Sequence, residues 1–259
     1  MGKSRDDALA SVTGASKQKR EIAAELGVDP YTDFKPLSDK LDSLAGAAAI
    51  GNLAVAGAYA LTPGAIGFAA SNTATANTMR GWAKDYSAAQ LMDMNRAKLE
   101  KLGVDGATAD RLFANKNYTP LDVTAMTEAL SGLGPVKNLG AMVARAASAD
   151  SRDVAYFIRR RIELTAAYQQ HNPTIVSFVR FDDLIYPLCL TKDGGAVGAY
   201  PIDILSWTPE TAATVQAMTS EAKADGATGA KSLVITGTAT PLTKKNLAAL
   251  GWTVTEGAR

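Results

Sequence analysis

The stretch Val154-Ala155-Tyr156-Phe157-Ile158-Arg159-Arg160-Arg161-Ile162-Glu163-Leu164, followed six residues later by His171-Asn172-Pro173-Thr174-Ile175-Val176-Ser177-Phe178, is where the chain changes its period. Val154, Phe157, Ile158, Ile162 and Leu164 recur at helical spacing and mark the buried face of a helix over Asp150–Gln170. Asn172-Pro173 stops that helix, because proline lacks a backbone N–H and disfavours helical geometry at the residue before it. Beyond Pro173 the apolar period falls from 3.6 to about 2, the period of a strand.

Downstream of this switch, Thr174–Phe181 reads as a strand. Leu184–Thr191 and Ala196–Ile202 read as two more, joined by the turn Lys192-Asp193-Gly194-Gly195. Thr208-Pro209-Glu210 opens a helix to about Ala224. Lys231–Thr236 is a strand of buried type, Thr240-Pro241 opens a short helix ended by Gly251, and Trp252–Thr255 is a last strand. The order is βββαβαβ, a small mixed sheet with helices on one face and the last two strands as parallel neighbours.

Upstream the punctuation is helical throughout. Ser16 caps a helix that Gly27 ends, and Pro36 restarts one with Leu37, Leu41 and Leu44 on its apolar face. Further helices are expected over Ser87–Leu102, Asp105–Phe113, Pro120–Leu130 and Pro135–Ala147. The fold class is therefore α+β: a multi-helix N-terminal bundle over residues 1–172, then a small mixed α/β sheet module over 173–259.

One stretch interrupts the bundle. Ser43–Met79 runs for 37 residues without a formal charge and is rich in Ala and Gly, with a turn signal at Thr62-Pro63-Gly64. It is long enough to cross a bilayer. However, Gly46, Gly51, Asn52 and Gly57 interrupt it, and alanine gains little in lipid. Its small residues at helical spacing suit close helix packing equally in water and in membranes. The expectation is a buried helical hairpin, with a partner-facing surface and lipid insertion as the alternatives.

Bulk properties narrow the function classes. The 259 residues carry 27 basic and 26 acidic side chains, a net charge of +1, which argues against a chain built to coat nucleic acid. The single cysteine, Cys189, cannot form an intramolecular disulfide, and the single histidine, His171, removes His-pair zinc motifs. Residues 1–10 are polar, with no apolar leader core. This leaves a cytoplasmic protein, or a periplasmic or secreted one if a signal peptide was removed.

Chemistry-bearing motifs are sparse. The chain has no G-x-G-x-x-G after a strand, no G-x-x-x-x-G-K-[ST], no H-E-x-x-H, no G-x-S-x-G and no C-x-x-C. Gly64-Ala65-Ile66-Gly67 lacks the lysine and the preceding strand of a phosphate loop. His171 is expected as a helix-terminal residue favoured by the dipole, and Cys189 as a small core residue. Asp182-Asp183 is a strand-end turn, with metal or acid–base work as the sharper alternative. Asp193 and Asp203 flank the hairpin without being placed beside Asp182. Arg159, Arg160 and Arg161 spread around a helix and read as a solvated or ion-paired face, with an anionic partner as the alternative. Trp82, Trp207, Trp252, Tyr118 and Tyr200 are scattered and read as core anchors or rim residues. No catalytic, cofactor-binding or metal-ligating residue is assigned, and no cofactor is expected.

Two phrases carry a resemblance. Lys19 to Thr32, with Leu26-Gly27-Val28-Asp29-Pro30-Tyr31-Thr32 at its end, resembles the opening of a group of bacterial proteins to which no activity is assigned. In that group an Ala/Gly-rich apolar segment with a central Pro-Gly follows. Thr236–Pro241 and Leu247–Val254, with Gly251-Trp252, are similar to the end of the same group. The resemblance implies a bacterial, envelope-associated protein and carries over no functional residue.

The expected function is that of a non-catalytic structural or protein-interaction protein. It would use the 43–79 hairpin for a protein partner or for self-association, and no nucleic acid is expected. Membrane association through the same hairpin is the alternative. A third reading is an enzyme with Asp182, Asp183 or His171 in the C-terminal module.

Overall fold

The computed structural model describes residues 16–49, 73–179 and 188–258. Much of the uncharged run, with Gly64 and Gly67, and the pair Asp182-Asp183 lie outside the described residues. The chain is α+β, with helices in its N-terminal part and a mixed five-stranded sheet in its C-terminal part. It falls into two compact units, Met1–Ala97 with Tyr118–Ala125, and Lys98–Asn117 with Met126–Arg259.

The first unit holds α1 (Lys17–Leu26), α2 (Lys35–Ala49) and α3 (Thr73–Asp85), with most of α4 (Ala88–Lys101) and the first half of α6 (Pro120–Ser131). Ser16 caps α1 by accepting the Lys19 N–H. Gly27 ends α1 at φ 68, a left-handed geometry that glycine adopts without strain. A side chain there would also collide with Arg80, whose guanidinium lies 2.8 Å from the position a Cβ would take.

Ile22, Ala23, Val28, Leu41 and Ala45 form one core of this unit, and Met79, Ala83, Leu91, Leu121 and Ala125 form another. Lys19 is buried between α1 and α2, and its ammonium donates to Ser38 and Asp42 at 3.0 Å each. The Leu-Gly-Val-Asp-Pro-Tyr-Thr phrase has a structural job. Asp29 accepts the Tyr31 N–H and the Thr119 hydroxyl, and Tyr31 donates to the Tyr86 carbonyl. Thr119 in turn caps the start of α6.

The second unit contains α5 (Gly106–Ala114), α7 (Leu139–Ala147) and α8 (Arg152–His171) together with the sheet. Sheet order is β1 (Ile175–Phe178), β2 (Cys189–Thr191), β3 (Ala196–Tyr200), β5 (Lys231–Ile235), β7 (Trp252–Thr255). β1–β2 and β2–β3 are antiparallel, while β3–β5 and β5–β7 are parallel, joined through α9 (Pro209–Ala224) and α10 (Pro241–Ala249). The chain order βββαβαβ read from the sequence is seen for the five strands of this sheet, and the last two are parallel neighbours as expected. In addition, a two-residue ribbon pairs β4 (Ile204–Leu205) with β6 (Thr238–Ala239), in parallel.

Two expectations are corrected. The helix expected from Pro135 begins at Leu139. The preceding segment instead runs along β1: Lys137 donates to Val176 and accepts from Phe178. Asn138, at φ 60, then turns the chain into α7. An edge strand left bare is a hazard, and this segment covers it.

The second correction concerns the arginine face. Arg159 and Arg161 are only 5% and 2% exposed, so the face is not solvated. Residues 161–166 are all buried, and six residues sweep more than a full turn, so α8 is covered on every side there. The ion-paired part of the expectation holds: Glu163 receives both Arg159 and Arg160.

Candidate functional site

β3, α9 and β5 form one βαβ unit, and β5, α10 and β7 form the next. In each, the helix opens with the same four-residue grammar: Thr208-Pro209-Glu210-Thr211 and Thr240-Pro241-Leu242-Thr243. The first threonine is the N-cap and its hydroxyl accepts the N–H of the last (3.2 Å and 3.3 Å). Proline sits at the first helical position, where its missing N–H costs nothing.

At α10 the helix start is filled. Thr243 is wholly buried, and its hydroxyl donates to the Leu205 carbonyl at 3.0 Å. The Glu256 carboxylate accepts the Ala239 N–H at 2.6 Å and the Lys244 ammonium at 2.8 Å. The Lys244 hydrogen bond, then the Ala239 N–H, hold that carboxyl below its ordinary range. Residues 257 and 258 run along the end of β5, with Gly257 donating to Gly237 and Ala258 to Ile235.

At α9 the helix start is open. A pocket of about 130 Å³ lies between the end of β3, the middle of β5 and the first turns of α9. Its apolar wall is Tyr200, Ile202, Leu205, Val215, Met218 and Leu233, and Glu210, Thr211 and Thr214 supply its polar atoms. Tyr200, Val215, Met218 and Leu233 also belong to the module's core, so this wall is part of the packed fold. The position matches the general rule for open α/β sheets, in which ligands sit beyond the carboxyl ends of parallel strands.

Glu210 is exposed at the rim. Its own backbone N–H and the Thr208 hydroxyl hold its carboxyl below the ordinary range. Thr211 donates its hydroxyl to the Ser206 carbonyl at 2.9 Å, which fixes the approach to the helix.

Tyr200 joins this pocket to the interior of α8. The Arg161 guanidinium lies 5.3 Å from the centre of the Tyr200 ring. It also donates to the Met142 sulfur at 3.1 Å. Burial draws the Arg161 pKa below its usual value, and Tyr200 and Cys189 offset part of that.

The residues singled out from sequence do not converge. His171 ends α8, is exposed, and its Nδ1 lies 2.8 Å from the Ala167 carbonyl. Cys189 is buried in β2, and burial pushes its thiol up to about 12, which keeps it a thiol at neutral pH. Asp193 is a turn residue: its carboxylate accepts from the Thr191 hydroxyl and the Gly195 N–H. Asp203 lies beyond the other end of β3, a five-residue strand of about 16 Å. Trp207 and Trp252 pack in the module core, where the Trp252 indole donates to Thr219 at 2.9 Å, and Trp82 packs in the first unit.

Among the described residues, no group of three or more His, Cys, Asp or Glu side chains could hold a metal ion, and no helix is long and apolar enough to cross a membrane. The pocket residues Glu210, Thr211 and Thr214 carried no sequence signal beyond a helix start. No protein family, curated protein or solved structure matches the chain.

Proposed function

We propose that this protein is a non-catalytic interaction protein whose C-terminal module presents a protein-binding corner. The observation that carries this reading is a pair of exposed aliphatic side chains on elements that flank the β4–β6 ribbon. Ile204 on β4 is 68% exposed and Leu242, in the first turn of α10 just beyond β6, is 55% exposed. Large aliphatic side chains left in water beside a packed core suit a partner surface better than a solvated one. The Ala/Gly-rich run from Ser43 to Met79 is the second surface in this proposal, on the strength of its composition. The bacterial, envelope-associated setting rests on the resemblance carried by Lys19–Thr32 and by Thr236–Pro241 with Leu247–Val254.

The test is light scattering of the purified chain, paired with a pull-down from source cells, on native protein and on the Ile204→Asp, Leu242→Asp double variant. The expected result is self-association or a captured partner that the double variant loses. A strict monomer that captures nothing, or a partner held equally by both proteins, contradicts the reading.

A second reading is favoured by the length of the uncharged run: membrane association through residues 43–79. Flotation with anionic liposomes at low and neutral pH tests it, and a chain that stays at the bottom of the gradient contradicts it.

A further inference from the structure

We infer that the α9 pocket is a binding site for a small organic ammonium, with its apolar body among Tyr200, Leu205, Val215 and Met218 and its charged head on Glu210. The inference goes beyond the interaction corner and does not depend on it.

Size sets the first limit. A pocket of about 130 Å³ is close to the roughly 150 Å³ of an engineered apolar cavity that takes one benzene ring. The body that fits is therefore a single six-membered ring or a branched chain of four or five carbons. The wall suits it, because it is built from core side chains already fixed by packing, so little ordering is required on binding.

Charge sets the second limit. The one carboxylate at the pocket is Glu210, and the hydrogen bonds from its own N–H and from Thr208 keep it ionised well below neutral pH. An anionic ligand would meet repulsion there. A neutral one would gain nothing from it. An ammonium has three donors, for the carboxylate and for hydroxyl oxygens such as that of Thr214 at the rim.

The neighbouring βαβ unit supplies a precedent inside the molecule. There the carboxylate at the helix start, Glu256, is met by the Lys244 ammonium at 2.8 Å, and Thr243 is buried with its hydroxyl on the Leu205 carbonyl. The α9 position of Leu242 is Glu210, so this unit has the carboxylate at its own helix start and a cavity beside it. A ligand that brings both an apolar body and an ammonium would complete the α9 start as Lys244 and the buried Thr243 complete that of α10.

The experiment is a titration of the full chain, followed by amide NMR shifts, with benzylamine, benzyl alcohol and benzoate at pH 7. The native chain is compared with Glu210→Gln and with Thr214→Phe, which places a ring in the cavity. The expected order is benzylamine over benzyl alcohol by about threefold, a modest factor because Glu210 is exposed, with benzoate weakest. Shifts should centre on Tyr200, Thr211, Met218 and Leu233.

Glu210→Gln should remove the preference for the amine while keeping the alcohol's affinity, and Thr214→Phe should remove both. A lysine-containing peptide separates a free amine from a protein side chain: the inference requires the free amine to bind without it. Equal affinity for amine and alcohol, an amine preference that survives Glu210→Gln, binding that survives Thr214→Phe, or binding by the peptide alone would each overturn the inference. So would no binding at all, and none of these results bears on the Ile204–Leu242 corner.

Discussion

The two βαβ units of the C-terminal module begin their helices with the same words and end in different states. At Thr240-Pro241-Leu242-Thr243 the inner side is packed: Thr243 is buried, its hydroxyl reaches back to Leu205, and Glu256 holds the Ala239 N–H, while Leu242 faces outward and is exposed. Thr208-Pro209-Glu210-Thr211 is open: Thr211 reaches only the nearby Ser206, and a pocket lies inside it. The local grammar fixes the cap and the helix start. Whether that start becomes a site depends on what the rest of the chain lays over it.

The largest expected effects lie on the closed side. Leu247, fully buried on α10, should cost about 3 kcal/mol when changed to alanine. Leu205, half-buried at the pocket wall, should cost about 1 kcal/mol because one side of it already faces a cavity. Equilibrium unfolding in urea measures both, and equal losses would break the contrast.

Gly237→Ala belongs to the same class. A Cβ there would fall 1.8 Å from the Asp203 carbonyl oxygen, a contact between two backbone segments that neither can relieve. A loss of about 3 kcal/mol is expected. Wild-type stability would mean that the β4–β6 ribbon is looser than described.

Next in size is the threonine pair. Thr243→Val removes a buried hydroxyl and leaves the Leu205 carbonyl with the Thr240 N–H as its remaining donor, at about 1 kcal/mol. Thr211→Val, at a half-buried position near solvent, should cost less than about 0.5 kcal/mol. Thermal melts of the two variants side by side make the comparison.

The smallest effect is a pH dependence. Glu256 and Glu210 both have carboxyls held below their ordinary value in the folded chain, so each stabilises it above that value, 4.5, and the contribution is lost as pH falls through the folded value. Melting temperatures should be level from neutral pH down to about 4.5 and fall below it. Glu256→Gln should shrink that acid limb. An acid limb unchanged by the substitution would place its cause elsewhere, for instance at Asp105 or Asp193, whose carboxyls are lowered in the same direction.

The sheet was legible because its signals are local. The Lys192–Gly195 turn, the Thr-Pro helix starts and the period change at Pro173 each act over a few residues, and the strands they bound stand in the order read from them. Where tertiary contacts decide, the reading failed. Pro135 carries a helix-start signal, yet Lys137 is drawn onto the β1 edge and the helix waits for Leu139. Arg159 and Arg161 carry a surface signal, yet both are buried: Glu163 pairs with Arg159 and Arg160, as an ion-paired face would have it, while Arg161 lies over the Tyr200 ring. The pocket was invisible for the same reason. Glu210 and Leu242 occupy matching places in matching motifs, and the two starts differ in contacts with residues far along the chain, Thr243 with Leu205 and Glu256 with Ala239.

The contrast between the two helix starts is tested most directly by amide shift mapping of the full chain with benzylamine. The account predicts shifts at Tyr200, Thr211, Met218 and Leu233 around the open α9 start, and none at Thr243, Leu247 and Val254 around the closed one. Shifts spread equally over both starts, or confined to α10, would contradict it.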